Sequence, residues 1–280
     1  MDFDFQTELE AIQKTFKKPV VRIVQPTSDF PELDVVVPDS WKQIQIAPLY
    51  DVHIGNPQHD GKLLARHLKW IEETPDVLSW NGGDMFENIT DFKMGHTTKS
   101  NEEQLIEATE TLASIKHKLL FSMAGNHEDR TYKHTHISSA KYLANNLQLP
   151  YFGDYCFLTV HWKGNRFRIL AHHGAGSAQT PGAQLNSARK ELAWTTADLI
   201  WTGHLHQNKV DVVYRVDYDQ KNGRAFERDT IVIISPSYIN YFGGYAAKMR
   251  MIPGVRGLSV ATLNADGRID ANLHARGKRI

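Results

Sequence analysis

The chain has 280 residues, and hydrophobic residues make up 41% of it, a content typical of a globular protein with one large core or two small ones. Its 32 basic side chains balance its 32 acidic ones, so the net charge does not indicate nucleic acid or membrane as a partner. The single cysteine, Cys156, excludes an internal disulfide and a zinc site built from several cysteines, and it is predicted to pack in the core.

The ends of the chain carry no sign of a membrane or secretion segment. The N-terminus is acidic, and no apolar run reaches the roughly 18 residues that span a bilayer, so we expect a soluble, cytoplasmic protein. Residues 1–40 mix charges and prolines and are predicted to form an arm or edge element before a main domain over residues 41–280. Residues 246–280 carry seven basic groups against two acidic ones, which fits a solvated tail or an edge that faces a polyanion.

Strand and helix patterns alternate from residue 43 onward. A strand over residues 43–50 precedes a helix over 60–73, whose apolar residues recur at helical spacing and whose N-cap is Asp60. A strand over 76–81 precedes a helix in which Ser100 and Glu103 are placed to form a capping box. The strand 119–124 and a short helix over 138–147 complete this half of the chain.

The second half is richer in strands. Residues 156–162 and 166–173 predict a hairpin across a turn at Lys163–Asn165, followed by a helix near 182–193 and a strand over 198–203. Beyond residue 208 alternating runs with turns at 220–224 and 264–268 predict further strands. The pattern therefore predicts an α/β fold with a strand-rich C-terminal part in the same domain.

Side chains of the metal-ligand type follow five of the predicted strands. Groups at the carboxyl ends of strands in an α/β sheet converge on one crevice. Each group taken singly has an ordinary explanation, such as a turn-forming asparagine or an exposed histidine pair, but five groups in one chain indicate a site. The residues concerned are Asp51, His53, Asp84, Glu87, Asn126, His127, His172, His173, His204 and His206.

The donor types suit two divalent ions. Carboxylates, imidazoles and an amide oxygen fit manganese, our preferred ion, and also iron, zinc or nickel. Calcium would favour an all-oxygen shell, and a structural zinc site would favour thiolates. The number of ligands implies two ions rather than one.

The ordered blocks "DVH", "GDMFE", "GNHE", "HH" and "GHLH" resemble the calcineurin-like metallophosphoesterase superfamily over residues 43 to about 235. The resemblance implies that superfamily's four-layer α/β sandwich, in which two packed mixed β-sheets are flanked by helices and carry a dinuclear metal site at one rim. The segment "DVHIG", with Asp60 downstream, is also similar to the first motif of bacterial and phage members, which include DNA-repair nucleases.

The resemblance also implies a role for each matching residue. His172 is preferred within the doublet because relatives with an "HxG" pattern use the first histidine, and His173 is the alternative. One ion would be held by Asp51, His53 and His206, the other by Asn126, His172 and His204, and both by a bridging Asp84.

Other residues of the same blocks would assist the reaction. His127 would be the catalytic residue, which stabilises or protonates the leaving oxygen, and Glu128 could keep it charged. Glu87 and Glu128 would fix the tautomers of ligand histidines. Arg130 would contact phosphate or form a surface salt bridge.

The implied reaction is hydrolysis of a phosphate ester, with phosphodiesters favoured over monoesters, by attack of a hydroxide that two ions share. A DNA or RNA nuclease is the narrower alternative, although the balanced charge does not indicate extended duplex binding. Two other hypotheses are a non-catalytic interaction scaffold on the same fold and a protein that stores or senses metal. The sequence leaves the physiological ester and the oligomeric state open.

Overall fold

Two mixed β-sheets pack face to face in a computed structural model, which describes residues 20–23, 30–89 and 97–275. The strands are β1 (Val20–Ile23), β2 (Glu32–Val36), β3 (Ile44–Ile46), β4 (Val77–Asn81), β5 (Leu119–Ser122), β6 (Tyr155–Trp162), β7 (Asn165–His172), β8 (Leu199–Thr202), β9 (Lys209–Asp219), β10 (Arg224–Ile234), β11 (Gly257–Leu263) and β12 (Ile269–Ala275). The α-helices are α1 (Gly61–Glu73), α2 (Asn101–Ala113), α3 (Asn126–Thr135), α4 (Ser139–Leu147), α5 (Pro181–Ala188) and α6 (Tyr245–Lys248).

The strand order places five strand ends for a shared site. The larger sheet has the order β1-β2-β6-β7-β8-β10-β9, and the smaller sheet has the order β12-β11-β3-β4-β5. Strands β3, β4 and β5 are parallel neighbours, and so are β7 and β8. Parallel strands end at the same edge of a sheet, so the loops after these five strands lie side by side within each sheet.

Hydrophobic side chains fill three interfaces and define four layers. Trp80, Trp162 and Trp201 are fully buried between the two sheets. Helices α1, α2 and α4 cover the outer face of the smaller sheet, and α5 packs Ala188 on the outer face of the larger one. The predicted α/β fold of two mixed sheets flanked by helices is confirmed.

The predicted helix starts are present. The Asp60 carboxylate accepts a hydrogen bond from the Leu63 N–H at 3.0 Å and begins α1. Ser100 and Glu103 form the reciprocal capping box of α2. The helix predicted near 182–193 is shorter, since α5 ends at Ala188 and a 3₁₀ turn covers Lys190–Ala193.

The hairpin of β6 and β7 also matches its prediction. Trp162 pairs with Asn165, so Lys163 and Gly164 form a two-residue loop. Their φ angles are 48° and 77°, and positive φ at both central residues is what a type I′ turn requires.

The first forty residues contribute two strands to the larger sheet. β2 pairs in parallel with β6 and buries Leu33 and Val35 between the sheets, while β1 forms the outer edge. The remainder of this predicted arm, residues 1–19 and 24–29, lies outside the described residues, so the boundary at residue 40 stays a prediction. Cys156 is fully buried, as expected.

Two further predictions concern membrane-spanning helices and the basic C-terminal residues. Across the described ranges, every helix is too short or too polar to cross a bilayer. The last basic residues, Arg276, Lys278 and Arg279, lie outside the described part of the chain. Their role therefore stays a prediction.

Candidate metal centre

Five loops meet at one rim of the sandwich. They follow β3, β4 and β5 of the smaller sheet and β7 and β8 of the larger sheet. The side chains that they bring together are Asp51, His53, Asp84, Asn126, His127, His173, His204 and His206.

A first ligand group consists of Asp51, His53 and His206, whose candidate ligand atoms lie within 4.8 Å of one another. His206 Nε2 lies 3.3 Å from Asp51 Oδ1 and 3.2 Å from His53 Nε2. Asp51 and His53 are buried, whereas the His206 side chain is 36% exposed. The site is therefore open to solvent on the His206 side.

A second group consists of Asp84, His173 and His204, with Asn126 between the two imidazoles. Asn126 Oδ1 lies 2.7 Å from His204 Nδ1 and 3.3 Å from His173 Nε2. His173 Nε2 also lies 3.2 Å from Asp84 Oδ2. One carboxylate, two imidazoles and an amide oxygen thus surround a common point.

Asp84 connects the two groups. Its Oδ2 atom lies 3.2 Å from His173 Nε2 in the second group and 3.8 Å from His53 Nε2 in the first. Its Oδ1 atom accepts a hydrogen bond from the His127 backbone N–H at 2.8 Å, which fixes the carboxylate between the groups.

His172 does not lie in this cluster, which instead contains His173, the alternative within the doublet. Its ring stacks on Tyr155 with centroids 5.6 Å apart, and its Nε2 lies 3.6 Å from Glu191 Oε1. Successive side chains of a strand point to opposite faces. At the end of β7, His172 shares the outer face with Leu170, while His173 turns toward the rim between the sheets.

Comparison with known proteins finds distant likeness only. No protein-family model matches the chain, and no curated protein sequence matches it. Among solved structures, the chain is similar to Vps29 from Entamoeba histolytica complexed with Zn²⁺, with 11% identity, a TM-score of 0.38, and 82% of this chain and 97% of that chain covered. A predicted phosphoesterase from Streptococcus pneumoniae has 11% identity and a TM-score of 0.36, with 83% and 100% covered. A Thermotoga maritima protein has 13% identity and a TM-score of 0.34, with 83% and 99% covered.

At such low similarity, the ligands and activities of those proteins do not carry over to this chain. The chain's own layers and strand order, and the five motif blocks that meet at one rim, say more about the site than these distant likenesses do. The chain therefore has an α/β sandwich in which its ordered motif blocks meet at one rim.

The backbone of the site is strained where the ligand-type side chains occur. Asp51, His53, Asp84, His204 and His206 all have positive φ angles, between 50° and 65°. This left-handed region is uncommon for residues other than glycine, and each such residue costs on the order of 1–3 kcal/mol. Strain concentrated on these five residues is typical of a functional site.

Two motif glycines allow the loops to approach the carboxylates. A Cβ atom at Gly125 would lie 2.2 Å from Asp84 Oδ1, and one at Gly203 would lie 2.6 Å from Asp51 Oδ2. The glycines of "GNHE" and "GHLH" are therefore needed because no side chain fits beside the two acidic groups.

Backbone carbonyls set the orientation of two imidazoles. His173 Nδ1 lies 3.1 Å from the Gly82 carbonyl, and His204 Nε2 lies 2.7 Å from the Gly176 carbonyl. A carbonyl only accepts, so these nitrogens carry hydrogen, and the other nitrogen of each ring faces the oxygen of Asn126. Acceptor atoms that converge in this way fit a cation at their centre.

The charges of the buried groups also fit a cation at the centre of the cluster. Burial opposes ionisation of Asp84, yet His173, His127 and His53 hold the pKa of its carboxyl well below its usual range. For His173, burial is outweighed by Asp84 and Asp51, which raise its pKa to about 10. The two carboxylates therefore favour a positive charge between them.

The two nearby glutamates have different roles. Glu87 Oε2 lies 3.2 Å from His53 Nδ1. It also accepts a hydrogen bond from the Asn56 side-chain amide, and the sequence did not indicate this role of Asn56. Glu128 instead accepts hydrogen bonds from the backbone N–H groups of Gly125, Asp84 and Phe86. The hydrogen bonds of Glu128 thus tie two loops together rather than orient a histidine ring.

His127 lies at the edge of the cluster. Its Nδ1 donates to the Glu87 carbonyl at 2.7 Å, and its Nε2 faces Asp84 Oδ2 at 3.9 Å and Arg130 at 3.1 Å. Burial, and then the charge of His53, lower the pKa of His127 to about 4. His127 also forms a third possible ligand group with His53 and Asp84.

Proposed function

We propose that the chain is a phosphoesterase that depends on two divalent metal ions and prefers phosphodiesters. The observation that supports this most directly is the pair of ligand groups that share Asp84 as their common carboxylate. The first ion would be held by Asp51, His53, Asp84 and His206, and the second by Asp84, Asn126, His173 and His204.

The donor set contains no thiolate, and it fits manganese, iron, zinc or nickel, with manganese preferred. When bound, two such ions lower the pKa of a water molecule and withdraw negative charge from phosphoryl oxygens. Side chains of the protein would contact the substrate. His127 and Arg130 lie together at the rim, where they can contact an ester that enters from solvent.

Removal of metal is the direct test of this proposal. We expect chelation to abolish hydrolysis of bis-p-nitrophenyl phosphate, because no protein group in the cluster replaces the charge of two cations. Adding manganese back should restore turnover, with two ions bound per chain by metal analysis.

Full turnover in metal-free protein would contradict the metal dependence. Tight binding of two ions without turnover on nucleic acid, cyclic nucleotide or phospholipid-headgroup diesters would instead favour the storage or scaffold hypothesis. The matched comparison is the same preparation carried through chelation and given back its original metal ion.

A second prediction concerns His127, proposed to stabilise or protonate the leaving oxygen. Its pKa of about 4 in the free protein means that the negative charge of a bound phosphate ester has to raise that pKa before the ring can act as the acid. His127→Ala should keep both ions and lower kcat by about 10²- to 10⁴-fold on a dinucleoside phosphate, whose leaving group is a sugar hydroxyl. The loss on bis-p-nitrophenyl phosphate should be distinctly smaller, because p-nitrophenolate leaves without a proton.

The control is His134→Ala, which removes an exposed histidine of the same helix α3 and should change neither substrate. Equal losses on both substrates, together with depleted metal, would assign His127 to metal binding or loop packing. That outcome would end the leaving-group role.

A further inference from the structure

Strand β9 is the last strand of the larger sheet, and it carries a row of exposed apolar side chains. Val212, Tyr214, Val216 and Tyr218 are 58%, 58%, 63% and 71% exposed within the described part of the chain. They are alternate residues of one strand, so they all lie on one face of the sheet. A contiguous row of this kind, unlike a single exposed valine, indicates an interaction surface.

The row continues the inner face of the larger sheet. Val210, two residues before the row, packs against the core between the sheets, and so does Ile231, which pairs with Val212 across β10. From Val212 onward the side chains on this face are more than half exposed among the described residues. The apolar side chains on this face of β9 thus continue the pattern of the core past the region that the core occupies.

The edge of β9 is also suited to pairing. β9 and β10 pair in unbroken register over eleven residues, and β9 contains neither proline nor bulge. Edge strands are usually protected by such features or by lysines that face outward. The lysine of β9, Lys209, is at its first position and donates to Gln184 of α5.

We propose that β9 pairs antiparallel with β9 of a second copy of this chain and joins the two larger sheets into one. The register that best covers the row places Val216 opposite Val216 of the second copy. Tyr214 then lies opposite Tyr218, and the pair occurs twice because of the twofold symmetry.

The charges on the opposite face of β9 favour this register. It places Arg215 opposite Asp217 of the second copy, again twice, and opposite charges directly across strands are stabilising. A shift by two residues in either direction would set Arg215 against Arg215, or Asp217 against Asp217. Within one chain Arg215 already donates to the carbonyls of Leu192 and Thr195 and to the Thr230 hydroxyl, and Asp217 accepts from Arg228. The pairs across the two copies would therefore add to these contacts rather than satisfy free charges.

The area of the row predicts a weak dimer. A tyrosine buries about 150–250 Å² when fully enclosed, so four partly exposed side chains offer a few hundred Å² per chain. A standard interface buries about 800 Å² per partner. We therefore expect dissociation in the range of roughly 1 µM to 1 mM, which makes the oligomeric state depend on concentration.

Cysteine cross-linking tests the register. Val216→Cys should form a disulfide-linked dimer on oxidation with diamide, because the two β-carbons face each other across the symmetry axis. Tyr214→Cys should cross-link poorly, since its opposite residue is 218. The native Cys156 is fully buried and does not compete.

A charge substitution tests the pairing itself. Val216→Lys should weaken dimerisation at least tenfold in sedimentation equilibrium, because two lysines would then face each other. Ile106→Lys, at a 52% exposed apolar position on α2, should leave it unchanged. A wild-type chain that stays monomeric to about 1 mM, or Ile106→Cys that cross-links as readily as Val216→Cys, would overturn the proposal.

Discussion

Asp84→Asn is expected to deplete both metal positions and to lower phosphodiester turnover by at least about a hundredfold. The asparagine keeps the shape of the side chain and can still accept the His127 N–H bond at 2.8 Å. It removes the negative charge of Asp84. Both ligand groups share that charge, because Asp84 Oδ2 lies between His53 and His173. Metal analysis of the purified variant, together with kcat on bis-p-nitrophenyl phosphate, measures both effects.

Asp76→Asn is the matched control, since Asp76 precedes β4 at the end opposite to Asp84. It should retain two ions and wild-type turnover. If Asp84→Asn kept two tightly bound ions and full turnover, the shared-carboxylate role would be excluded. Loss of a single ion would assign Asp84 to one group only.

The second large effect separates the two histidines of the doublet. His173→Ala should lose the ion of the second group and most of its turnover, because His173 Nε2 faces both Asp84 and Asn126. His172→Ala should keep both ions, since its ring stacks on Tyr155 outside the cluster.

His172→Ala is expected to act on stability instead. Removing a buried ring from its contact with Tyr155 should lower the free energy of unfolding by about 1–3 kcal/mol. Denaturant unfolding and metal stoichiometry of the two variants together decide the assignment. A greater loss of metal in His172→Ala than in His173→Ala would return the ligand role to His172.

Much of the site could be predicted because its pattern is local. Each motif block follows a strand closely, and the glycines beside the carboxylates are part of the blocks themselves. Parallel strands end at one edge, so residues as distant in the chain as Asp51 and His206 were expected to meet. The helix caps and the tight hairpin were predictable for the same reason, since neighbouring residues make them.

The assignments that the sequence could not make depend on contacts between distant segments. The last four residues of β7 are buried on both faces, so the apolar run that ends in the doublet did not show whether His172 or His173 faces the rim. Glu128 follows the His127 of its motif directly, but the neighbouring loop supplies backbone N–H groups that its carboxylate binds instead.

The sequence by itself determined which residues could form a metal centre and in which order the strands deliver them. Only the tertiary structure decided which imidazole reaches the centre, which glutamate contacts a histidine, and where the larger sheet leaves an open edge at β9. The physical reason is that chain spacing fixes local turns, whereas the direction of a side chain depends on which face of its strand the second sheet covers.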